Sequence, residues 1–200
     1  MRKQHLLCGA IALLSVAVAG LCGAAFALEN QSGINLAAVA TPSSSYVSGD
    51  TRNTALNDGF DPRDSRDNRP ASYGNWPTRG TQWVQYEWNQ PISTAKIDVY
   101  WWADGRGVHA PKASRLLYWD GDVFIPVKNA AGFGIAVDQY NTTTFDEVQT
   151  SKLKLEIDSD GEFSTGILEW KVYDSGKSPQ FPPMVTAGID RSVVLGGKTY

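Results

Sequence analysis

The run that decides the fold is Trp83-Val84-Gln85-Tyr86-Glu87-Trp88. Val84, Tyr86 and Trp88 fall on one side and Gln85 and Glu87 on the other, the period of a strand with one face buried. Ile97-Asp98-Val99-Tyr100-Trp101 repeats the alternation, as do Leu153-Lys154-Leu155-Glu156-Ile157 and Leu168-Glu169-Trp170-Lys171-Val172. Leu116-Leu117-Tyr118-Trp119 runs into Asp120-Gly121 and then Val123-Phe124-Ile125-Pro126-Val127. Asp-Gly between two β-prone runs is a hairpin signal, because both residues tolerate the positive φ that a tight turn needs. A shorter strand is expected at 142–145. After residue 27 no window sustains a 3.6-residue apolar period, so there are no crossover helices to connect parallel strands. Short strands separated by Gly, Pro, Asn and Asp turns predict an all-β antiparallel sandwich or barrel.

The two ends differ from this middle. Residues 1–27 carry Arg2 and Lys3, an apolar run from Leu6 to Val18, and Ala25-Phe26-Ala27, which together read as a secretory signal peptide. Its removal takes away both cysteines, Cys8 and Cys22, and two basic residues, so the net charge of −3 becomes −5. The remaining chain has no thiol for disulfides, nucleophilic catalysis or zinc and iron–sulfur ligation. Export without disulfides suits a bacterial envelope protein, secreted to the outside or held in the periplasm. No later stretch approaches the roughly 20 apolar residues of a membrane span. The acidic balance argues against nucleic acid as a partner. Residues 175–183 form a Pro-rich linker (Lys177-Ser178-Pro179-Gln180-Phe181-Pro182-Pro183), and 184–200 read as the truncated start of a second β-domain. Residues 1–27 and 175–200 are expected to pack little against the sandwich.

Two loops carry the chemistry. Residues 60–80 hold Asp61, Arg63, Asp64, Arg66, Asp67 and Arg69, then Tyr73, Trp76 and Arg79. Loops of this length in a compact domain tend to be functional, although the interleaved charges also fit a self-neutralising segment. Residues 102–111 place Trp102, Asp104, Arg106 and His109, the only histidine after residue 27, directly behind a strand. Of seven tryptophans, Trp83, Trp88, Trp101 and Trp170 lie in or beside strands and are expected inside. Trp76 and Trp102 lie beside glycine- and proline-rich loops. There an exposed ring can stack on the apolar face of a sugar while Arg79 or Arg106 holds vicinal hydroxyls and Asp104 accepts from a hydroxyl or orients an arginine, with His109 in the same loop. The other reading of each ring is a plug that anchors its loop. A catalytic triad would have to use His109, which has no nucleophile elbow near it. No acid pair stands out as a glycosidase constellation among 21 acidic residues. An enzyme within this chain is therefore not expected, while a catalytic domain beyond residue 200 is left open. Leu56-Asn57-Asp58-Gly59 is an acidic turn, and Glu169 lies on the last strand. Asp58, Glu169 and carbonyls of the 57–61 turn could supply hard oxygen ligands to a structural calcium; an ordinary Asx turn explains Asp58-Gly59 equally well.

Together with Gly80-Thr81-Gln82-Trp83-Val84-Gln85-Tyr86 and Gly166-Ile167-Leu168-Glu169-Trp170-Lys171-Val172-Tyr173, that turn resembles the discoidin, or coagulation-factor C-type, family. The run from Val99-Tyr100-Trp101-Trp102 through Pro111-Lys112-Ala113-Ser114-Arg115 to Asp120-Gly121 is similar to a subgroup appended to bacterial glycoside hydrolases, notably those acting on β-L-arabinofuranosides. Residues 182–200 resemble the start of an immunoglobulin- or PKD-like repeat. The resemblance covers 34–174 and implies a galactose-binding-like jelly-roll sandwich of about eight strands with adjacent termini. It implies glycan binding by loops at one end, often a structural calcium, and neighbouring domains of a larger chain as further partners. The expected core is Val84, Tyr86, Val99, Trp101, Leu117, Leu155, Trp170 and Val172. The function expected is a noncatalytic carbohydrate-binding module of a secreted polysaccharide-degrading protein. The alternative is a structural or protein-adhesion module with no free-sugar site.

Overall fold

The computed structural model describes residues 33–181; the signal peptide at 1–27 and the second-domain start at 184–200 lie outside the described residues. Eight strands follow in chain order: β1 (Thr41–Ser44), β2 (Tyr73–Gly74), β3 (Thr81–Trp101), β4 (Val108–His109), β5 (Ala113–Trp119), β6 (Phe124–Pro126), β7 (Tyr140–Asp158) and β8 (Ser164–Asp174). All pairings are antiparallel except β4 with β8. Among the described residues helix is limited to two four-residue 3-10 turns, Leu36–Val39 and Asn53–Leu56. No helix among the described residues is long and apolar enough to cross a membrane.

The architecture is a galactose-binding-like β-sandwich, and two long strands build it. β3 and β7 stay paired along their length but shift register between Glu87 and Ile92 and between Thr94 and Lys96. These irregularities let each strand leave one layer and enter the other. Residues 81–87 of β3 and 152–158 of β7 pair with β1 and β5, and β6 extends that layer. Residues 94–101 of β3 pair with β8, which carries β2 and β4 beyond it. The sequence alternation therefore resolves 83–88 and 97–101 as two strands where the chain makes one, and likewise 142–145 and 153–157. The Asp120-Gly121 hairpin is present: Asp120 Oδ1 accepts from the N–H groups of Asp122 and Val123.

Of the expected core, Val84, Tyr86, Val99, Trp101, Leu155, Trp170 and Val172 are buried. Leu117 is not. Leu116 takes the inward place, and Leu117 stands opposite Lys154 and Pro126 on the outer face. Trp83 also differs from the expectation: it faces outward, half-buried, with the Lys154 ammonium 5.2 Å from its ring. Trp88 and Trp101 are inside as read. At the centre Tyr86 and Trp170 stack at 4.2 Å and 15°. The Tyr86 hydroxyl donates to the Leu56 carbonyl at 2.6 Å and lies 2.9 Å from that of Trp170.

The domain's ends meet, as expected: Gly33 N–H donates to the Asp174 carbonyl at 3.0 Å, and Asp174 N–H to Ile34 at 2.9 Å. The start of the linker departs from the expectation of little packing. The Asp174 carboxylate accepts from Gly176 and Ser178 N–H, Lys177 pairs with Glu147, and Ser93 N–H donates to Ser178 Oγ. Polar side chains on β3 and β7 thus hold residues 175–178 against the sandwich edge.

Tyr86→Phe keeps the stack and removes one buried hydroxyl that serves two layers. It is expected to cost about 1–3 kcal/mol, read as a lower urea midpoint with an unchanged slope; an unchanged midpoint would show that the hydroxyl contributes nothing.

Candidate functional site

The segment before Trp76 is fixed to β8. Asn75 is buried; its side chain accepts from Thr165 N–H at 2.9 Å and donates to Thr165 Oγ1 at 2.8 Å. Ser164 Oγ donates to the Thr78 carbonyl. Between these anchors Trp76 is pushed outward and is 57% exposed. One edge of its ring rests on Gly107, where even a Cβ would come within 3.1 Å of it.

The second loop is ordered by Asp104. Its Oδ1 accepts from the N–H groups of Arg106, Gly107 and Val108 at 2.7, 3.0 and 3.0 Å. This oxygen therefore holds the turn together and leaves the second for the role expected of it. Val108 and His109 then pair with Ser164 and Thr165, which sets the loop beside the Asn75 anchor. The two loops converge as the sequence suggested. Trp76, Arg79 and Arg106 line one hollow of about 120 Å³ with Gly107, Glu162 and Phe163.

Trp102 is not the exposed platform expected of it. The ring is 7% exposed and packs with Tyr100, Val108 and Leu168. It fits because Gly74 and Gly166 lack side chains: a Cβ on either would lie 2.7 Å from the ring. Trp102 is thus a loop anchor, touching only the floor of a neighbouring depression of about 250 Å³ that Trp76 and Asp104 also line. His109 is separate again. It stacks on Phe163 at 3.6 Å and lines a larger cavity of about 610 Å³ with Arg66, Asp64, Asp138 and Asp160.

Sequence reading placed Arg66 only among the charges of the 60–80 loop and passed over Asp138, Asp160, Glu162 and Phe163. The β7–β8 turn brings the last three, and its one local signal was Asp160-Gly161, whose Asp Oδ1 accepts from Glu162 and Phe163 N–H at 2.9 Å each. The charged loop 60–80 is in part self-neutralising, since buried Asp67 accepts from Arg63 and Arg69 and is held well below the usual carboxylate range, chiefly by Arg69.

Asp58 and Glu169 come together on the outer side of β8. Glu169 is fully buried, and neither of its oxygens meets hydrogen-bond geometry with a donor, although the Gly59 N–H of the Asp58 turn lies near enough to pull its pKa down against burial. Burial, then the charge of nearby Asp58, pushes its carboxyl up to about 8. Burial likewise raises Asp58, against the Phe60 N–H that its Oδ1 accepts. Asp61, in the same turn, accepts from Lys171 and Tyr140 and ties the turn down over β8. An orphaned buried carboxylate beside a second acid fits a hard cation. Among the described residues no three His, Cys, Asp or Glu cluster for a metal, so turn carbonyls would have to supply the remaining ligands, as they can for calcium.

No family model and no curated protein matches the chain. Solved structures do match in fold. A chain of the Streptococcus pneumoniae β-galactosidase BgaA superposes with a TM-score of 0.64 at 19% identity, over 72% of this chain and 99% of that one. The family 32 carbohydrate-binding module of C. perfringens NanJ, in complex with galactose, gives 0.55 at 15%, over 72% and 99%. Chitosan-binding module 1 from the chitosanase/glucanase of Paenibacillus sp. IK-5 gives 0.54 at 12%, over 70% and 98%. At these identities the likeness is one of fold.

The two loop tryptophans should separate in stability. Trp102→Ala is expected to cost about 3–5 kcal/mol, whereas Trp76→Ala should cost well under about 1 kcal/mol, as surface substitutions do. Equal losses in chemical denaturation would contradict the burial that distinguishes them.

Proposed function

We propose that this chain is a noncatalytic carbohydrate-binding module of an exported polysaccharide-degrading protein, with its glycan site at the Trp76 hollow. The observation that carries the reading is the convergence of one exposed indole and two arginines, Arg79 and Arg106, on a single depression at the loop end of the sandwich. Neighbours of the same fold are named as binding galactose and chitosan, which supports a sugar as ligand without naming it. Trp76 stacks on the apolar face of a sugar ring, and the guanidinium groups donate to its oxygens. A shallow site buries little area, so affinity lies in the micromolar to millimolar range. His109 and Trp102 drop out as direct contacts in this hollow; Asp104 acts by shaping the loop. Trp76→Ala should abolish retention in glycan affinity gels while the melting temperature stays put. Retention unchanged by that substitution would reject the site, and no retention of the wild type on a broad glycan panel would favour the adhesion alternative.

A structural calcium between Asp58 and Glu169 belongs to the same proposal. It would supply the positive charge that lets both carboxylates ionise; Glu169, Asp58 and the turn carbonyls would hold it, stiffening β8 beside the loop anchors. In chelator, folded Glu169 keeps its proton up to about pH 8, while the unfolded chain loses it near its ordinary 4.5. Between those values the folded state binds the extra proton, so stability falls as pH rises through the window. Calcium should raise the melting temperature at pH 7–8 and remove that fall, since a ligand of the folded state stabilises by mass action. Glu169→Gln should abolish both responses. Identical melting curves in calcium and chelator across the window would refute the site.

A further inference from the structure

The geometry points to an anionic sugar unit, bearing a carboxylate or a sulfate, as the ligand of the Trp76 hollow; this rests on the carbohydrate-binding reading of that site. The argument begins with how the molecule spends its charges. Arg63 and Arg69 are paired with Asp67, and Arg115 with Glu156 and Asp158. Arg52, Arg66, Arg79 and Arg106 have no ion-pair partner among the described residues, although the chain carries more acidic than basic side chains; of these four only Arg79 and Arg106 share a hollow with Trp76. Both are exposed, and both line a hollow that also presents Trp76.

Two of the acids at this end each give one oxygen to backbone N–H groups. Asp104 has one oxygen committed to three backbone N–H groups and Asp160 one to two. Glu162 alone puts a carboxylate on the lining, and it pairs with neither arginine. The hollow therefore offers two guanidinium groups against one acid, beside an aromatic face. A neutral sugar can accept from the guanidinium groups but leaves their charge uncompensated. A planar guanidinium fork matches the two oxygens of a carboxylate or sulfate and gains a charge-assisted bond from each. At about 120 Å³ the hollow admits the charged substituent and one face of a single ring.

The test is affinity electrophoresis of the full chain at fixed calcium in gels of polygalacturonate, the same polymer fully methyl-esterified, a sulfated galactan, a neutral galactan and chitosan. Retention is expected on polygalacturonate or on the sulfated galactan, whichever anion fits, and it should weaken with added salt. Esterification should remove retention on polygalacturonate. Arg79→Gln and Arg106→Gln should each weaken binding by about tenfold, while Glu162→Gln strengthens it. Lys128→Gln, an exposed lysine that lines none of these hollows, should change nothing; an equal loss there would reduce the effect to bulk charge and overturn the inference. Retention on neutral galactan or chitosan as strong as on the acidic polymers, or indifferent to both arginine substitutions, would also overturn it and leave the carbohydrate-binding reading intact. Absence of retention on every polymer would overturn both.

Discussion

The stack of Tyr86 on Trp170 is the contact on which the rest of the molecule depends. It joins the part of β3 in one layer to β8 in the other, ring face to ring face. A buried phenol needs a partner for its hydroxyl, and the Leu56 carbonyl provides one. That bond fixes the end of the Asn53–Leu56 turn. Asn57 then donates to the carbonyls of Ala37 and Ala40, so the N-terminal segment is fastened at the same point. The next residue, Asp58, lies beside Glu169, the neighbour of Trp170 in β8. One aromatic contact thereby sets the position of the buried carboxylate and of the acid that faces it.

β8 does the same service for the loops. From Ser164 to Trp170 every residue is buried, because the core covers one face and β4, Trp102 and the Asp58 turn cover the other. Its first three residues hold the Asn75 anchor, pair with β4 and leave the space at Gly166 that Trp102 fills. The loop end is thus organised before any ligand arrives. Ordering a loop on binding costs free energy, and a site already fixed by buried anchors avoids that loss.

Much of the fold was legible because strand alternation depends only on which face is buried. Where both faces carry apolar residues, alternation loses its meaning. Leu116 and Leu117 are adjacent and apolar, and only pairing with Lys154 and Pro126 decides which turns out. Trp83 is covered by a lysine on the next strand, a contact no local pattern announces. The corner residues Asn89, Gln90 and Pro91 look like a turn and are in fact the bend of a continuing strand. At the site the legible part was local: Trp76, Arg79 and Arg106 stand in loops of unusual composition. Trp102 looked equivalent to Trp76, and what separates them is Gly74 and Gly166, which no short window shows beside it. Asp104 has a second task that the sequence did not show, because an acid ahead of glycines can cap its own turn as well as meet a ligand. Glu162 and Phe163 come from a turn some 60 residues beyond Arg106, and the Asp160-Gly161 pair before them marks a turn without marking a site.

The placement of charge follows from the same division. Glu169 is buried without a partner and must either hold a proton or meet a cation, so the stability of the sandwich is tied to what neutralises that group. Trp76, Arg79 and Arg106 are exposed, and the core does not rest on them. On the reading proposed for the hollow, substitution there alters what it recognises at little cost to folding, whereas change at Asn75, Trp102 or Gly166 disturbs the anchors themselves. The exposed side chains of the hollow are ones that the fold can spare, and the geometry that presents them sits on side chains that it cannot.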